Sequence, residues 1–351
     1  MAVPRPRILQ KVSIAVALAV AIGACASATA STTASSSPLT LRLGYFANIT
    51  HAPALVGIES GILATALGPD VTLKPITFSA GPSAVEALFS ESIDAAYIGP
   101  NPAINAFAKS HGEAIRIVSG VTSGGAFLVV RDAIRTTGDL HGARLATPQL
   151  GGTQDVALRS WLRSNNLAAD TNGGGDVSVL PQDNSRTLEA MKSGAIDGAW
   201  VPEPWATRLI QEANAHVLID ERDLWPNGQY PTTLLAVRTD FLVRHPEVVR
   251  RLIEGNLASI DYINDHPAEA QKSANSQIKR ITQKTIKPSI LTSAWPHMTF
   301  TADPTSRSLQ RAANDEVALG FITPVDLQGI MDLTLLNEVL ATHGRPSITQ
   351  P

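Results

Sequence analysis

Residues Leu39-Thr40-Leu41-Arg42-Leu43-Gly44-Tyr45 alternate in character one by one, the period of a half-buried β-strand. The pattern lapses from Phe46 to His51, and a helix is predicted with Pro53 near its first position and Gly61 at its end. Val71 to Phe78 reads as a second strand. Val85, Leu88 and Phe89 mark one face of the next helix, and Ile93 to Ile98 a third strand. A helix from Pro102 to about Ser110 and a strand over Ile115 to Val118 follow. Phe127-Leu128-Val129-Val130 is apolar throughout, as a strand buried on both faces is. Near Ile134 the pattern restarts: a strand over Arg144 to Thr147, a glycine-bearing loop from Leu150 to Gln154, a helix with Leu158, Trp161 and Leu162 inward, then a strand over Val177 to Pro181. Leu234-Leu235-Ala236-Val237 is a second wholly apolar run, and both runs end in arginine, Arg131 and Arg238. Beyond Pro246 the chain reads as helical, with Val249, Leu252, Ile253, Leu257 and Ile260 on one face, restarts at Pro267 and Pro304, and a stop at Gly320.

One stretch occurs twice, about a hundred residues apart. The first copy has Glu86-Ala87-Leu88, Ser90 and Ile93-Asp94-Ala95-Ala96-Tyr97-Ile98, closing on Pro100-Asn101-Pro102. The second has Glu189-Ala190-Met191, Ser193 and Ile196-Asp197-Gly198-Ala199-Trp200-Val201, closing on Pro202-Glu203-Pro204. Each reads as the end of a helix, a tight turn, a buried strand and a proline-punctuated loop. Two such units imply two similar α/β lobes, and in open α/β sheets ligands bind outside the carboxyl ends of the strands. The two apolar runs are read as the paired crossings between lobes. Size agrees, since about 310 ordered residues exceed one usual core.

The amino terminus changes the compartment. Arg5, Arg7 and Lys11 precede an apolar run from Val12 to Ala24, the layout of an export signal and shorter than a bilayer span of about 20 residues. Ile22-Gly23-Ala24-Cys25 resembles the lipobox of bacterial lipoproteins, in which the cysteine is lipidated. Cleavage after Ala28 or Ala30, leaving no lipid, is the other reading. Two or more acyl chains at about 0.8 kcal/mol per buried methylene give stable anchoring. Ala26 to Ser37, rich in Ser, Thr and Ala, then reads as a tether of about 20 Å.

Composition mainly excludes. Cys25 is the only cysteine, so the folded part has no disulfide, thiolate metal site or cysteine nucleophile. Without the three basic signal residues, 25 basic stand against 31 acidic ones, and no basic stripe interleaved with aromatics points to nucleic acid. The eight histidines lack metal-ligand spacing, so no metal is expected, and without a Gly-x-Gly-x-x-Gly or Walker lysine loop no cofactor is expected either. Gly120-Val121-Thr122-Ser123-Gly124 comes near a nucleophile elbow but has threonine at its centre. An exported hydrolase using Ser123 or Thr122 with His51 or His111 therefore remains as an alternative. Small-residue loops enter helices at Ser79 to Ser83, Gly99 to Asn101 and Gly151 to Gln154, and a helix amino terminus suits an anion without a basic field.

Gly44-Tyr45 with Ala52-Pro53-Ala54-Leu55, then Phe78-Ser79-Ala80-Gly81-Pro82, Ile93-Asp94-Ala95-Ala96 and Trp200-Val201-Pro202-Glu203-Pro204-Trp205, resemble the periplasmic solute-binding proteins of ABC importers, in particular the aliphatic sulfonate, taurine and nitrate group. The resemblance spans about Leu39 to Val237. It implies an α/β type II periplasmic binding protein fold, with two lobes, two crossings and a carboxyl-terminal helical segment. It also implies a non-enzymatic monomer that captures a small organic anion, sulfonate- or taurine-like, by hinge closure and delivers it to a membrane permease. Nitrate or a pyrimidine-like solute is the alternative ligand. A related branch that makes a thiamine-precursor pyrimidine uses a cysteine-rich motif, which this chain lacks. The expected partition is 1–24 signal, 25–38 tether, 39–128 first part of lobe one, 129–232 lobe two and 233–351 return of lobe one. Ligand contacts carried over by the resemblance fall on Asn48, Gly81, Asn101, Gly152, Thr153 and Gln154, and on Glu203, Trp205 and Tyr230. Trp200, Trp205 and Tyr230 are expected over the organic tail. For Glu203 two readings stay open: it points outward to a partner such as Arg208, or the ligand carries a cation as well.

Overall fold

The computed structural model describes residues 38–349; the expected signal, Cys25 and all but the last residue of the tether lie outside them. In chain order the strands are β1 (Leu39–Phe46), β2 (Val71–Phe78), β3 (Ala95–Ile98), β4 (Ile115–Gly124), β5 (Ala126–Arg131) and β6 (Arg144–Thr147). They continue as β7 (Ser178–Pro181), β8 (Gly198–Pro202), β9 (Ala215–Asp220), β10 (Pro231–Arg238) and β11 (Met298–Phe300). The helices are α1 (Ala52–Glu59), α2 (Ile62–Leu67), α3 (Gly81–Phe89), α4 (Pro100–Lys109), α5 (Thr153–Ser164), α6 (Asn184–Ser193) and α7 (Trp205–Ala213). The carboxyl-terminal ones are α8 (Thr239–Arg244), α9 (Pro246–Asp265), α10 (Pro267–Thr282), α11 (Pro288–Ala294), α12 (Ser306–Ala318) and α13 (Thr334–Thr342).

The strands form two sheets, ordered β11-β4-β10-β3-β1-β2 and β7-β6-β8-β5-β9. The shared part is the same in both. A parallel trio (β2-β1-β3 or β7-β6-β8) is followed by an antiparallel strand from another part of the chain (β10 or β5) and then a last antiparallel strand (β4 or β9). The duplicated sequence is thus a duplicated topology. Each copy supplies a helix, α3 or α6, and the central strand it feeds, β3 or β8.

The two apolar runs do not straddle the lobes as expected. Phe127 to Val130 pairs with Val201 to Gly198 throughout, inside the second sheet, and Leu234 to Val237 pairs with Ile98 to Ala95 inside the first. The first changeover falls before β5, at Gly124-Gly125, a few residues earlier than the expected boundary. Both glycines have positive φ, 80° and 78°, which lets the backbone turn out of β4 and into the other sheet. Both runs are interior strands of their sheets and are buried on two faces.

The predicted strand over Ile115 to Val118 runs on to Gly124. Its polar end is buried and hydrogen-bonded: Ser119 Oγ donates to Gly120 O and accepts from Asn256 Nδ2 of α9. Around the first sheet, α9 lays Val249, Leu252, Ile253, Leu257 and Ile260 into a core shared with α1, α2, α10 and α13. Its Pro246 start and that of α10 at Pro267 match the sequence reading, and α12 starts two residues after Pro304. The second sheet is covered by α5, α6 and α7 through two smaller apolar clusters. Among the described residues no helix is long and apolar enough to cross a membrane.

Candidate functional site

The carboxyl ends of β1, β2 and β3 face those of β6 and β8 across a small cavity, most of whose lining residues are buried. Its wall is Phe46 of β1 with Asn48, Thr50 and His51 after it, Ser79 to Gly81 after β2, Gly99 after β3, Pro102 of α4, Pro148 and Gly152 to Gln154 after β6, Pro202 of β8 and Thr232 of β10. The volume is about 30 Å³. A site for a drug-sized ligand has about 300–1,000 Å³, and one water needs about 10–15 Å³. In this closed form the cavity admits a head group of a few atoms, and a larger solute requires the lobes to part.

Three helix amino termini converge on it: α3 capped at Ala80, α4 at Gly99 and α5 at Gly152. No side chain caps any of the three. The N–H groups of a first turn have no partner inside the helix, so those of Gly81, Thr153 and Gln154 are left for a ligand. None of the lining residues is Asp, Glu, Lys or Arg. His51 is buried, and burial pushes its imidazole down to about 3, so it is neutral at physiological pH. Its Nδ1 has no hydrogen-bond partner, and its ring lies 4.3 Å from that of Phe46. The cavity therefore offers dipoles and neutral donors without a formal charge.

The loop before α5 is held from behind. Asp155 accepts hydrogen bonds from Thr147 Oγ1 at 2.8 Å, Gly151 N at 3.0 Å and Arg159 Nε at 3.0 Å. Both partners of the Asp155–Arg159 pair are buried. A lone carboxylate in the first turn would oppose an anion, and Arg159 neutralises it.

Asn48, Gly81, Gly152, Thr153 and Gln154 thus come together at one cavity. Gly99 (first lobe) and Thr153 (second lobe) meet there so closely that a Cβ on Gly99 would overlap the Thr153 hydroxyl. The other expected contacts lie elsewhere. Asn101 aims its amide away from the cavity, donating to Glu316 Oε1 of α12 at 2.7 Å. Glu203 follows neither expected reading: it is fully buried and accepts from Thr207 N at 3.1 Å and Thr207 Oγ1 at 2.7 Å, while His297 Nδ1 lies 2.7 Å away. It serves the start of α7, and Arg208 pairs with Glu212 instead. Tyr230 is buried and stacked on Trp225 at 5.7 Å, away from the cavity wall. Trp200 is core of the second lobe and donates to Glu221 Oε2 at 2.7 Å. Trp205 stands just outside the cavity, its Nε1 donating to Asn48 Oδ1 across the lobes at 2.9 Å.

The segment Gly120 to Gly124 lies within β4 and makes no elbow. Thr122 Oγ1 donates to Thr50 O at 2.7 Å, and Ser123 Oγ accepts from Tyr230 N at 3.3 Å. Neither hydroxyl bonds a histidine among the described residues, so the expected pairing of Ser123 or Thr122 with a histidine base is not formed. Among the same residues no group of three or more His, Cys, Asp and Glu side chains could hold a metal ion. Sequence reading missed His51 as a cavity residue, although its place in the loop between β1 and Ala52-Pro53 was a usable signal.

A Brucella abortus protein described as a binding protein is 26% identical over 200 residues, 55% of this chain and 58% of the relative, so the match spans little more than half of that relative's length. The alkanesulfonate-binding protein SsuA from Xanthomonas axonopodis, solved with MOPS bound, superposes with a TM-score of 0.68 at 19% identity, covering 82% of this chain and 96% of that one. The periplasmic nitrate-binding protein NrtA from Synechocystis gives 0.68 at 16% identity, covering 87% and 89%. These likenesses show a two-lobed periplasmic binding protein fold. The family model of the NMT1-like family matches residues 34–278, more than half of the sequence, and the chain belongs to that family.

Proposed function

We propose that this protein is the solute-binding component of an ABC importer, exported and held to the outer face of the cell membrane through Cys25, and that it captures a small oxyanion by closing its lobes. The observation that carries the reading is the closed cavity, with three uncapped helix amino termini and no charged lining side chain. Each amino terminus contributes about 0.3–1 kcal/mol to an anion, and each hydrogen bond to a charged group about 1.5–3 kcal/mol. Neutral donors from both lobes are therefore sufficient, and an anion spanning them favours closure. That the superposing structures include an alkanesulfonate-binding and a nitrate-binding protein supports an anion. Glu203, held by Thr207 and His297, gives no reason for an amino-sulfonate to be preferred over a plain one.

Isothermal titration of methanesulfonate, nitrate, bicarbonate and sulfate, beside neutral and cationic solutes of similar size, tests the ligand class. Saturable binding of at least one anion is expected. Binding of a neutral or cationic solute with every anion silent overturns the reading. For the anchor, Cys25→Ala releases the protein from membranes with binding intact; unchanged membrane association contradicts it.

A further inference from the structure

A second space lies immediately outside the cavity. Ala47 and Trp205 line it, Asn48 lines the cavity, and Trp205 Nε1 donates to Asn48 Oδ1 at 2.9 Å. This outer groove has a volume of about 1060 Å³ and runs between α6 and the start of α7 in the second lobe and the end of α10 in the first. Leu188, Trp205, Ile278 and Ile286 give it apolar walls, and Arg186 and Lys284 bring cations to it from opposite lobes.

Neither cation has an ion-pair partner among the described residues, whereas the third, Arg208, is paired with Glu212 and lies over the Trp205 ring at 4.6 Å. The one acid of the lining, Glu189, stands 3.3 Å from Lys192. Lys284 sits on a fixed loop: Asn275 Nδ2 donates to Ile286 O at 2.9 Å, Ile286 N donates to Asn275 Oδ1 at 2.8 Å, and Thr282 Oγ1 donates to Lys284 O at 3.0 Å. The groove thus has two cations at its sides without an ion-pair partner among the described residues, and Trp205 of its wall is hydrogen-bonded to Asn48 of the cavity.

We propose that the outer groove is a second subsite, which takes the acidic far end of a two-headed solute: an oxyanion head in the cavity, a short aliphatic spacer past Trp205, and a second anionic group between Arg186 and Lys284. The inference rests on the reading of the cavity as an anion site. It names the substrate class as a linear dianion, where the cavity alone would accept any small oxyanion.

The probes are methanesulfonate, 1-butanesulfonate and 1,4-butanedisulfonate, titrated calorimetrically into the wild-type protein and into the double variant Arg186→Gln/Lys284→Gln, with a thermal melt to show that the variant folds. In the wild type the disulfonate binds about fivefold more tightly than butanesulfonate, the effect of two partly exposed charge pairs, and added salt reduces the advantage. In the double variant the advantage disappears and methanesulfonate binding is unchanged. Methanesulfonate binding with no disulfonate advantage, or an advantage that survives the double substitution, overturns the groove subsite alone. Silence of all three probes removes the sulfonate head and the groove subsite together.

Discussion

Each lobe contains the same brace, and the two braces differ in how deeply they are buried. In the first lobe Asp94, just before β3, accepts from Arg42 N at 2.8 Å and Arg42 Nε at 2.9 Å, and lies 3.9 Å from Arg238 at the end of β10. In the second, Asp197 before β8 accepts from Arg144 N and Nε, both at 2.9 Å, and lies 3.3 Å from Arg131 at the end of β5. The backbone repeats too: Asp94 N donates to Arg42 O and Asp197 N to Arg144 O, each at 2.8 Å. Yet Asp94 and Arg238 are 3% and 5% exposed, against 17% and 35% for Asp197 and Arg131. β10 runs on into α8 and α9, whereas β5 runs into an exposed turn at Asp132 and Ala133. The duplicated sequence specifies one hydrogen-bond pattern, and what the chain does next decides how much that pattern stabilises. Binding differs in the same way: α3 and α4 meet the cavity from the first lobe, and α5 alone from the second.

The sharpest way to break the comparison is to remove each aspartate. Asp94→Ala removes a buried acceptor from Arg42 N and Nε, while Arg238 keeps Asp240 and Glu91, and costs about 2–3 kcal/mol, whereas Asp197→Ala, in a wetter brace, costs about 1–2 kcal/mol. Urea unfolding of the two variants measures the gap, and equal losses would show that burial is not what separates the lobes. Gly99→Val tests whether the lobes must meet. Its side chain would collide with Thr153, so closure fails and affinity drops about a hundredfold or more while each lobe stays folded. Small-angle scattering with ligand present should show an open form, and normal compaction would contradict this.

Thr153→Val removes one hydroxyl from the second lobe's share of the cavity. A hydrogen bond to a charged group is worth about 1.5–3 kcal/mol, so calorimetry should read a ten- to hundredfold weaker affinity at an unchanged Tm. Undiminished binding would place the anion elsewhere.

A further difference is in the pH dependence of stability. Burial pushes Glu316 in the first lobe up to about 8 and Glu221 in the second up to about 7, from an ordinary 4.5. The folded state holds these protons more tightly than the unfolded chain. Their contribution is therefore complete below about 4.5 and is lost as pH rises, through about 8 for Glu316 and about 7 for Glu221. Glu316→Gln should flatten the fall of Tm up to about pH 8, and Glu221→Gln only its lower part. A pH slope untouched by either substitution would show that both carboxyls are ionised in the fold.

The parts of this molecule that were legible in the sequence are those set by near neighbours. The repeat was visible because helix, turn and strand follow one another within about twenty residues, and the loops at Gly81 and Gly152 because small residues before a helix mark an open amino terminus. What escaped depends on distant partners. Asn101 turns away from the cavity to meet Glu316, 215 positions on, and Glu203 meets His297, 94 positions on. No local pattern announces either. The polar end of β4 was missed because its Ser119 is satisfied by Asn256 of a helix far along the chain.

The central claim is that helix amino termini from both lobes, with no charged side chain, hold an anion in the closed cavity. A crystal structure of the protein grown with methanesulfonate tests it most directly. The account predicts the sulfonate oxygens within hydrogen-bond distance, about 2.7–3.2 Å, of the N–H groups of Gly81, Thr153 and Gln154, with the lobes closed. A sulfonate bound only against arginine or lysine side chains elsewhere, with the cavity still closed around nothing, would contradict it.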